Sequence, residues 1–358
     1  MMSHRKLILI LQSYGLHPIL TDWIANFLFE RNQIVAIDDA VSSSCPIYSG
    51  IPQGSILGPL LFLIYINSID VCEKPIQGSG GLRLFADDAK FFSSNVNDLQ
   101  SSLNTFSSWL EEHQLRLATQ KCSVVSISKT NNNSPSFFLN NIQISCSQSI
   151  KDLGIIISEN LKWEKHVDYI YRNASTSAYQ ISRFSKTSNI WTLIKLYKTY
   201  IRPKLEFNTP LWSPNFIKDV KKIEKVQKDF TRRAFKKCNL PYSSYSDRLR
   251  QINMKSLEYR RLSFDLLFLF RVVNGSAGIN FSTFFNFVEN PYTLRGKKIK
   301  IEPKFKSFNP VWQRSFFCRG PKIWNALPEN LTDSKTLLTF KIKLKKFDLG
   351  SVVNLIVN

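Results

Sequence analysis

Apolar residues at Leu7, Ile8, Leu11 and Tyr14 recur at helical spacing and predict an amphipathic helix over residues 4–16, stopped near Gly15 and Pro18. Asp22 to Phe29 reads as a second helix. Gln33 to Ile37 and Ser44 to Tyr48 read as the two limbs of a hairpin. Pro59 stands where the first turn of a helix tolerates it, and Leu60 to Ile69 continues that helix through an apolar, buried stretch. Gln77 to Gly81 is a Gly-rich connector. The short runs Leu82–Phe85 and Lys90–Phe92 then predict a hairpin with Asp87-Asp88 at its tip. Leu99 to Leu110 is a helix with Leu103, Phe106 and Leu110 inward. Cys122 to Ser128 alternates as a strand, Thr130 to Pro135 is a polar loop, and Phe137 to Ile144 gives another hairpin limb.

Beyond Trp163 the pattern changes to long basic helices over Glu164–Phe184, Trp191–Tyr200 and Lys218–Lys237. In the last, Val220, Ile223, Val226, Phe230 and Ala234 share one face, while Lys221, Lys225, Lys228, Arg232 and Lys236 share the opposite one. A solvated helix surface and a phosphate-binding stripe both fit that arrangement. Leu257 to Val273 is a further helix with Leu262, Leu266, Leu269 and Val273 inward. Asn274 to Pro310 is loop-rich, with a basic cluster at Arg295–Lys300. A final helix runs from about Ser334 to Phe347 behind an Asp333/Ser334 cap.

Charge sharpens this division. The 358 residues carry a formal net charge of +21, but residues 1–150 are at −2 and residues 151–358 at +23. A near-neutral half joined to a strongly basic half suits a catalytic body attached to a polyanion grip, and nucleic acid is the favoured partner. The six cysteines, at 45, 72, 122, 146, 238 and 318, form no CxxC pair and lie far from the four histidines, so no structural zinc and no disulfide framework is expected. They suit a reduced compartment, nucleus or cytoplasm. The apolar run Ile56–Ile66 is too short to span a bilayer and contains Pro59, so no membrane span is expected. Leu7–Leu11, with no convincing cleavage site after it, is not read as a signal peptide.

Two adjacent carboxylates in a turn repel one another unless a cation neutralises them, and a hard divalent ion is their natural partner. Alone, an Asp-Asp turn is a weak signal and reads first as a local turn preference. Some thirty residues upstream, however, stands Ser49-Gly50-Ile51-Pro52-Gln53-Gly54-Ser55-Ile56-Leu57-Gly58-Pro59-Leu60-Leu61-Phe62, ahead of Leu84-Phe85-Ala86-Asp87-Asp88-Ala89. With these two segments the chain resembles the reverse transcriptases of non-LTR retrotransposons, the Jockey-like group in particular. Trp109–Cys122 resembles the next palm segment and Leu153-Gly154-Ile155-Ile156 the strand that grips the primer. Phe317–Leu327, with Arg319, Pro321 and Trp324, resembles the C-terminal region of those elements.

The resemblance implies an α+β chain: a partial polymerase palm, an antiparallel sheet with helices, then a helical thumb and a mixed C-terminal region. The corresponding spans are 1–157 (partial fingers and palm), 158–245 (basic thumb) and 246–358. It implies RNA-directed DNA polymerase chemistry through two ions of Mg²⁺ (or Mn²⁺), with an RNA template, a DNA primer and deoxynucleoside triphosphates as partners. Asp87 and Asp88 match the metal-binding pair, Asp87 as the direct ligand. Pro52, Gln53, Gly54 and Ser55, with Phe85 and Ala86, match the surroundings of template base and incoming nucleotide. Lys121 matches a lysine that protonates pyrophosphate, although a surface lysine at a strand start is an equal reading. In the family a strand with an earlier catalytic Asp precedes a Ser-His-Lys/Arg-Lys-Leu stretch. Here Ser3-His4-Arg5-Lys6-Leu7 begins at the third residue. The expectation is therefore a C-terminal portion without the first catalytic strand, most of the fingers or an upstream endonuclease, inactive alone. The alternative is a non-catalytic nucleic-acid-binding remnant.

Overall fold

The computed structural model describes residues 2–78, 80–127, 135–289 and 299–350. The chain divides into two compact units, residues 1–150 and 151–358. The architecture is mixed helix and strand, α+β in class. No sheet among the described residues is wider than two strands.

In the first unit, the helix His4–Ser13 is capped by the Ser3 side chain and buries Leu7 and Leu11. Pro18 opens the next helix, Pro18–Leu28, rather than closing the first, because a first-turn proline has no N–H to lose. The ladder Arg31–Gln33 with Cys45–Ile47 encloses a tighter pair, Ala36–Ile37 with Ala40–Val41. The predicted hairpin is thus two nested ones. Gly58–Ile66 is helical, with Pro59 in its first turn, and continues as a 3₁₀ segment over Asn67–Glu73. Only one of its faces is buried, through Leu61, Tyr65 and Ile66, while Leu60 and Leu63 stand in solvent. Val96–Glu112 is capped by Asn95 and turns Leu103, Phe106 and Leu110 into the core as predicted.

A half-buried polar chain fastens these helices. Trp109 donates its indole N–H to Ser68 Oγ at 3.0 Å. Ser68 lies 3.0 Å from His113 Nε2, and His113 Nδ1 lies 2.9 Å from the Trp109 carbonyl. A carbonyl can only accept, so Nδ1 carries the proton and Nε2 receives the Ser68 hydroxyl.

At residues 123–146 the strands are shorter than predicted. Ser123–Val124 pairs in parallel with Ser145–Cys146, and Phe138–Leu139 with Ile142–Gln143. Asn140 and Asn141 have φ of 48° and 61°, the double left-handed conformation of a tight hairpin turn. The end of the predicted strand at Ser128 and most of the Thr130–Pro135 loop lie outside the described residues.

At the boundary between the units, strand Ser149–Asp152 pairs with Ile155–Ser158. Leu153 and Gly154, at φ 45° and 88°, form the turn between them. Of the predicted strand Leu153–Ile156, the first half is therefore turn. The helices Glu164–Phe184, Ile217–Lys237 and Leu257–Val273 match their predicted spans to within one residue. Ile190–Leu196 passes into a π-helical turn at Tyr197–Ile201, which the 3.6-residue period could not show. One apolar core runs from Ile155 to Leu257 around Val167, Leu193, Trp212 and Phe230, and a second from Leu262 to Leu349 around Leu266, Phe270, Ile323 and Phe340.

The loop-rich stretch contains a hairpin, Phe285–Glu289 with Ile299–Pro303; most of the predicted Arg295–Lys300 cluster lies outside the described residues. The last long helix is Leu337–Lys346, capped by Thr336 rather than by Asp333 or Ser334.

Candidate functional site

The Asp-Asp hairpin forms with longer limbs than the predicted Leu82–Phe85 and Lys90–Phe92, and only Asp87 of the pair lies in its turn. Gly81–Phe85 pairs antiparallel with Asp88–Phe92, and Phe85 faces Asp88 as the closing pair. Ala86 and Asp87 are the two loop residues, with Ala86 at φ 51°. A non-glycine residue in the left-handed region carries strain of about 1–2 kcal/mol. Asp87 thus sits in the turn and Asp88 on the first position of the return strand. Both are exposed, as are Phe85 and Ala86.

Pro52, Gln53, Gly54 and Ser55 form a turn closed by the Ser55 N–H donating to the Pro52 carbonyl at 3.2 Å. Gly54, third in that turn, has φ 82°, as a type II turn requires. No heavy atom lies within 4 Å of a Cβ placed there, so it is backbone conformation, not crowding within the chain, that demands glycine. Ser55 Oγ accepts the Gly58 N–H at 3.1 Å and so binds the loop to the start of the following helix. Gln53 is exposed at the apex, and Ile56 beside it is 97% exposed.

The loop is held from behind by residues not picked out as site residues from the sequence. His4, buried, lies 2.6 Å from the Gly50 carbonyl through Nε2, and the Gly50 N–H donates to the Met2 carbonyl at 2.8 Å. Ser3 bridges Ser49, and the His4 ring meets Phe29 edge-on at 5.6 Å. The position of His4 within Ser3-His4-Arg5-Lys6-Leu7 was visible as a motif, but its anchoring task was not. Lys121 lies exposed at the end of a 3₁₀ turn, Thr119–Lys121. Among the described residues, no hydrogen bond or ion pair joins Lys121, the Pro52–Ser55 turn and the Asp87–Asp88 tip.

In the second unit all five predicted basic residues, Lys221, Lys225, Lys228, Arg232 and Lys236, are exposed on one helix. Ile223, Val226, Phe230 and Ala234 are buried on the other side and Val220 half-buried. Among the described residues, Arg232 alone of the five has an acidic partner within 4 Å, Asp229 at 3.5 Å. On the flank, Lys218 pairs with Glu164 at 2.7 Å and Lys222 with Asp168 at 2.5 Å. Gln227 is fully buried between these faces. Its amide nitrogen donates to Tyr245 Oη at 2.8 Å and the Lys255 carbonyl at 3.1 Å, and its oxygen receives the Tyr197 hydroxyl at 2.9 Å. Tyr245 donates onward to Glu224, whose carboxylate accepts the Leu257 and Glu258 N–H groups at 3.1 and 3.3 Å and so caps that helix. Burial pushes the Tyr197 and Tyr245 hydroxyls well above their ordinary range, so both remain donors.

Residues 2–169 match the family described as reverse transcriptase (RNA-dependent DNA polymerase). That stretch belongs to the reverse transcriptase family. The chain is 26% identical over 226 residues to the RNA-directed DNA polymerase from mobile element jockey of Drosophila melanogaster, covering 59% of this chain and 24% of that protein. It is 22% identical over 262 residues to the Drosophila funebris counterpart, covering 67% of this chain and 29% of that one. An uncharacterised Caenorhabditis elegans protein is 32% identical over 113 residues, 32% of this chain and 57% of its own length. The chain thus spans only part of each of these relatives. The kinship to non-LTR retrotransposon reverse transcriptases predicted from the two motifs is borne out.

No group of three or more His, Cys, Asp or Glu side chains placed to hold a metal occurs among the described residues. The donor set at the tip is two hard carboxylates, exposed on adjacent residues. That fits an ion such as Mg²⁺, which takes one or two protein carboxylates and completes its shell with water and substrate phosphates. No helix among the described residues is long and apolar enough to cross a membrane.

Proposed function

We propose that the chain carries the aspartate pair and the polyanion grip of an RNA-directed DNA polymerase of a mobile element. The observation that supports this most directly is the hairpin with Asp87 in its two-residue turn and Asp88 at its closing pair, inside the stretch that matches the reverse transcriptase family. On this reading Asp87 and Asp88 bind Mg²⁺ or Mn²⁺, Asp87 directly. Bound there, the ion would supply charge neutralisation for the triphosphate and a lowered pKa for the attacking hydroxyl.

Gln53, exposed on a glycine turn, hydrogen-bonds without adding charge, and the Pro52–Ser55 turn with Phe85 and Ala86 flanks template base and nucleotide. Lys121 is the proton donor to pyrophosphate. Residues 1–157 are the partial fingers and palm, 158–245 the thumb and 246–358 the C-terminal region. The partners are an RNA template, a DNA primer and deoxynucleoside triphosphates, in nucleus or cytoplasm.

The test is Mn²⁺ binding in the presence of a deoxynucleoside triphosphate, comparing the chain with Asp87→Ala/Asp88→Ala. Loss of binding in the variant is expected; equal binding overturns the assignment. Primer extension on an RNA template is expected to stay at the level of that variant, because two carboxylates fill only part of a two-ion site and misplacement by about 1 Å already costs on the order of 100-fold in rate. Extension above it would bring another carboxylate, such as exposed Asp38 or Asp39, into the site.

A second reading, nucleic-acid binding without catalysis, is favoured by one observation: the basic stripe faces solvent as a continuous row on Ile217–Lys237. It requires only phosphate contacts, and Mn²⁺ binding that ignores Asp87 and Asp88 would leave it as the surviving reading.

A further inference from the structure

In the second unit a surface cavity of about 490 Å³ opens between the strand Ile299–Pro303, the short helix Pro310–Arg314 and the helix Phe316–Asn325. Its lining is aromatic and basic. Trp312 is fixed by its indole N–H, which donates to the Phe305 carbonyl at 3.1 Å, and one face is stacked on Phe317 at 5.6 Å and 12°. Phe305 meets Trp312 edge-on at 6.4 Å. Phe308, on the rim, is 97% exposed. Lys306 and Lys322 flank these rings in solvent, Lys306 shared with Glu302 at 3.6 Å.

Two things need explaining together. An aromatic ring wholly in water on the rim of a pocket already lined by two more rings forgoes the burial that would stabilise it. The surroundings are also cationic: Lys304, Lys306, Arg314 and Lys322 are exposed within residues 299–325, against one acidic residue, Glu302. A purely apolar partner would not call for that charge, and a phosphate alone would not call for the rings. A nucleotide of an unpaired strand needs both, a π-surface for its base and cations for its phosphates.

We propose that the Phe305–Phe308–Trp312 pocket stacks an unpaired base of single-stranded RNA or DNA, with Lys306 and Lys322 on the adjoining phosphates. Trp312 supplies the immobile platform and Phe308 closes over the base from the rim. This rests on the reading that the second unit grips nucleic acid, and adds to it a preference for single strands.

The experiment uses the full chain and a labelled short oligothymidylate, with its abasic counterpart as control, at several salt concentrations. Phe308→Ala cannot disturb packing, because its ring touches solvent; Trp312→Phe keeps an aromatic ring in place of the indole. Phe308→Ala is expected to weaken oligothymidylate binding roughly 5- to 150-fold, the range for losing one base stack. It should leave abasic binding and the salt slope unchanged, while Trp312→Phe stays within a few-fold of the parent. Equal affinity of parent and Phe308→Ala for oligothymidylate, with binding still weakened by Lys221→Ala and Lys225→Ala, overturns the pocket alone. No salt-dependent binding by any form overturns the nucleic-acid grip and the pocket with it.

Discussion

Replacing Arg319 with Met should destabilise the second unit by about 3–5 kcal/mol, the cost of leaving a buried charge without its partner. Arg319 holds Asp265 through two bonds, Nε to Oδ2 at 2.7 Å and Nη2 to Oδ1 at 3.2 Å. It also donates to the carbonyls of Pro210 at 2.7 Å and Arg314 at 3.1 Å. Asp265 is 0% exposed and Arg319 6%. Burial pushes the Asp265 carboxyl up, and both Arg319 and the buried Arg261 oppose it. Arg261 has no hydrogen-bond partner for its two terminal nitrogens among the described residues, so its charge still reaches Asp265 once Arg319 is gone. That holds the expected loss toward the lower end, about 3 kcal/mol. Asp265→Leu strands the Arg319 cation instead, at a similar cost.

The double substitution Asp265→Leu/Arg319→Met leaves neither charge of the pair; it leaves two carbonyls without donors, at about 1 kcal/mol each, and Arg261 with its other acidic neighbours only. It should therefore be more stable than Arg319→Met alone. Urea unfolding followed by Trp324 emission, with hydrogen exchange of the Leu257–Val273 helix to assign the transition, measures all four corners of the cycle. Losses that add to within about 0.5 kcal/mol would refute the coupled pair.

His166 predicts a pH dependence. It is 1% exposed, its Nδ1 receives the Ile156 N–H at 3.3 Å, and burial lowers its pKa from 6.5 to about 4. The unfolded chain then binds the proton more readily, so stability is full above pH 6.5 and falls as pH drops toward 4, by up to about 3 kcal/mol. His166→Phe should flatten that slope, read by urea midpoints across the window; an unchanged slope rejects it. Replacing Lys221, Lys225, Lys228 and Arg232 together by Ala should reduce the slope of log affinity against log salt by about one for each phosphate no longer neutralised; a slope equal to the parent's makes the stripe a solvated face only. Gly54→Ala should destabilise the first unit by about 1 kcal/mol or more, since φ 82° strains any L side chain, and a thermal midpoint equal to the parent's would show that the turn is not held.

Helices were legible where one face is apolar over three turns or more: Glu164–Phe184, Ile217–Lys237 and Leu257–Val273 follow from period alone. The hairpin around Asp87 and Asp88 was legible because short apolar runs flank it, but its two-residue turn is Ala86-Asp87, one position earlier than the pattern placed it. What escaped was fixed by few residues or by tertiary contact. Cys122 to Ser128 alternates like a strand, yet among its described residues only Ser123–Val124 finds a partner ladder. Leu153 at φ 45° is not a residue that marks a turn, so the turn before Ile155 was hidden. The Phe285–Glu289 pairing depends on partners 10 to 18 positions along the chain. His4 serves the glycine loop through a single bond to Gly50, and a local pattern contains no sign of a partner 46 positions along the chain.

The fully buried Gln227 has a consequence for the stripe. An apolar helix face packed on aliphatic side chains can roll or slip by a residue at modest cost, and each residue of slip turns a helix by about 100°. Three hydrogen bonds, to Tyr197, Tyr245 and the Lys255 carbonyl, are satisfied at one rotation only. Gln227 therefore works as an angular key: it sets the bearing of Lys221, Lys225 and Lys228 while touching none of their ligands. Gln227→Leu should keep the unit folded yet let the row of cations swing, blurring how a phosphate backbone is aligned without removing one charge.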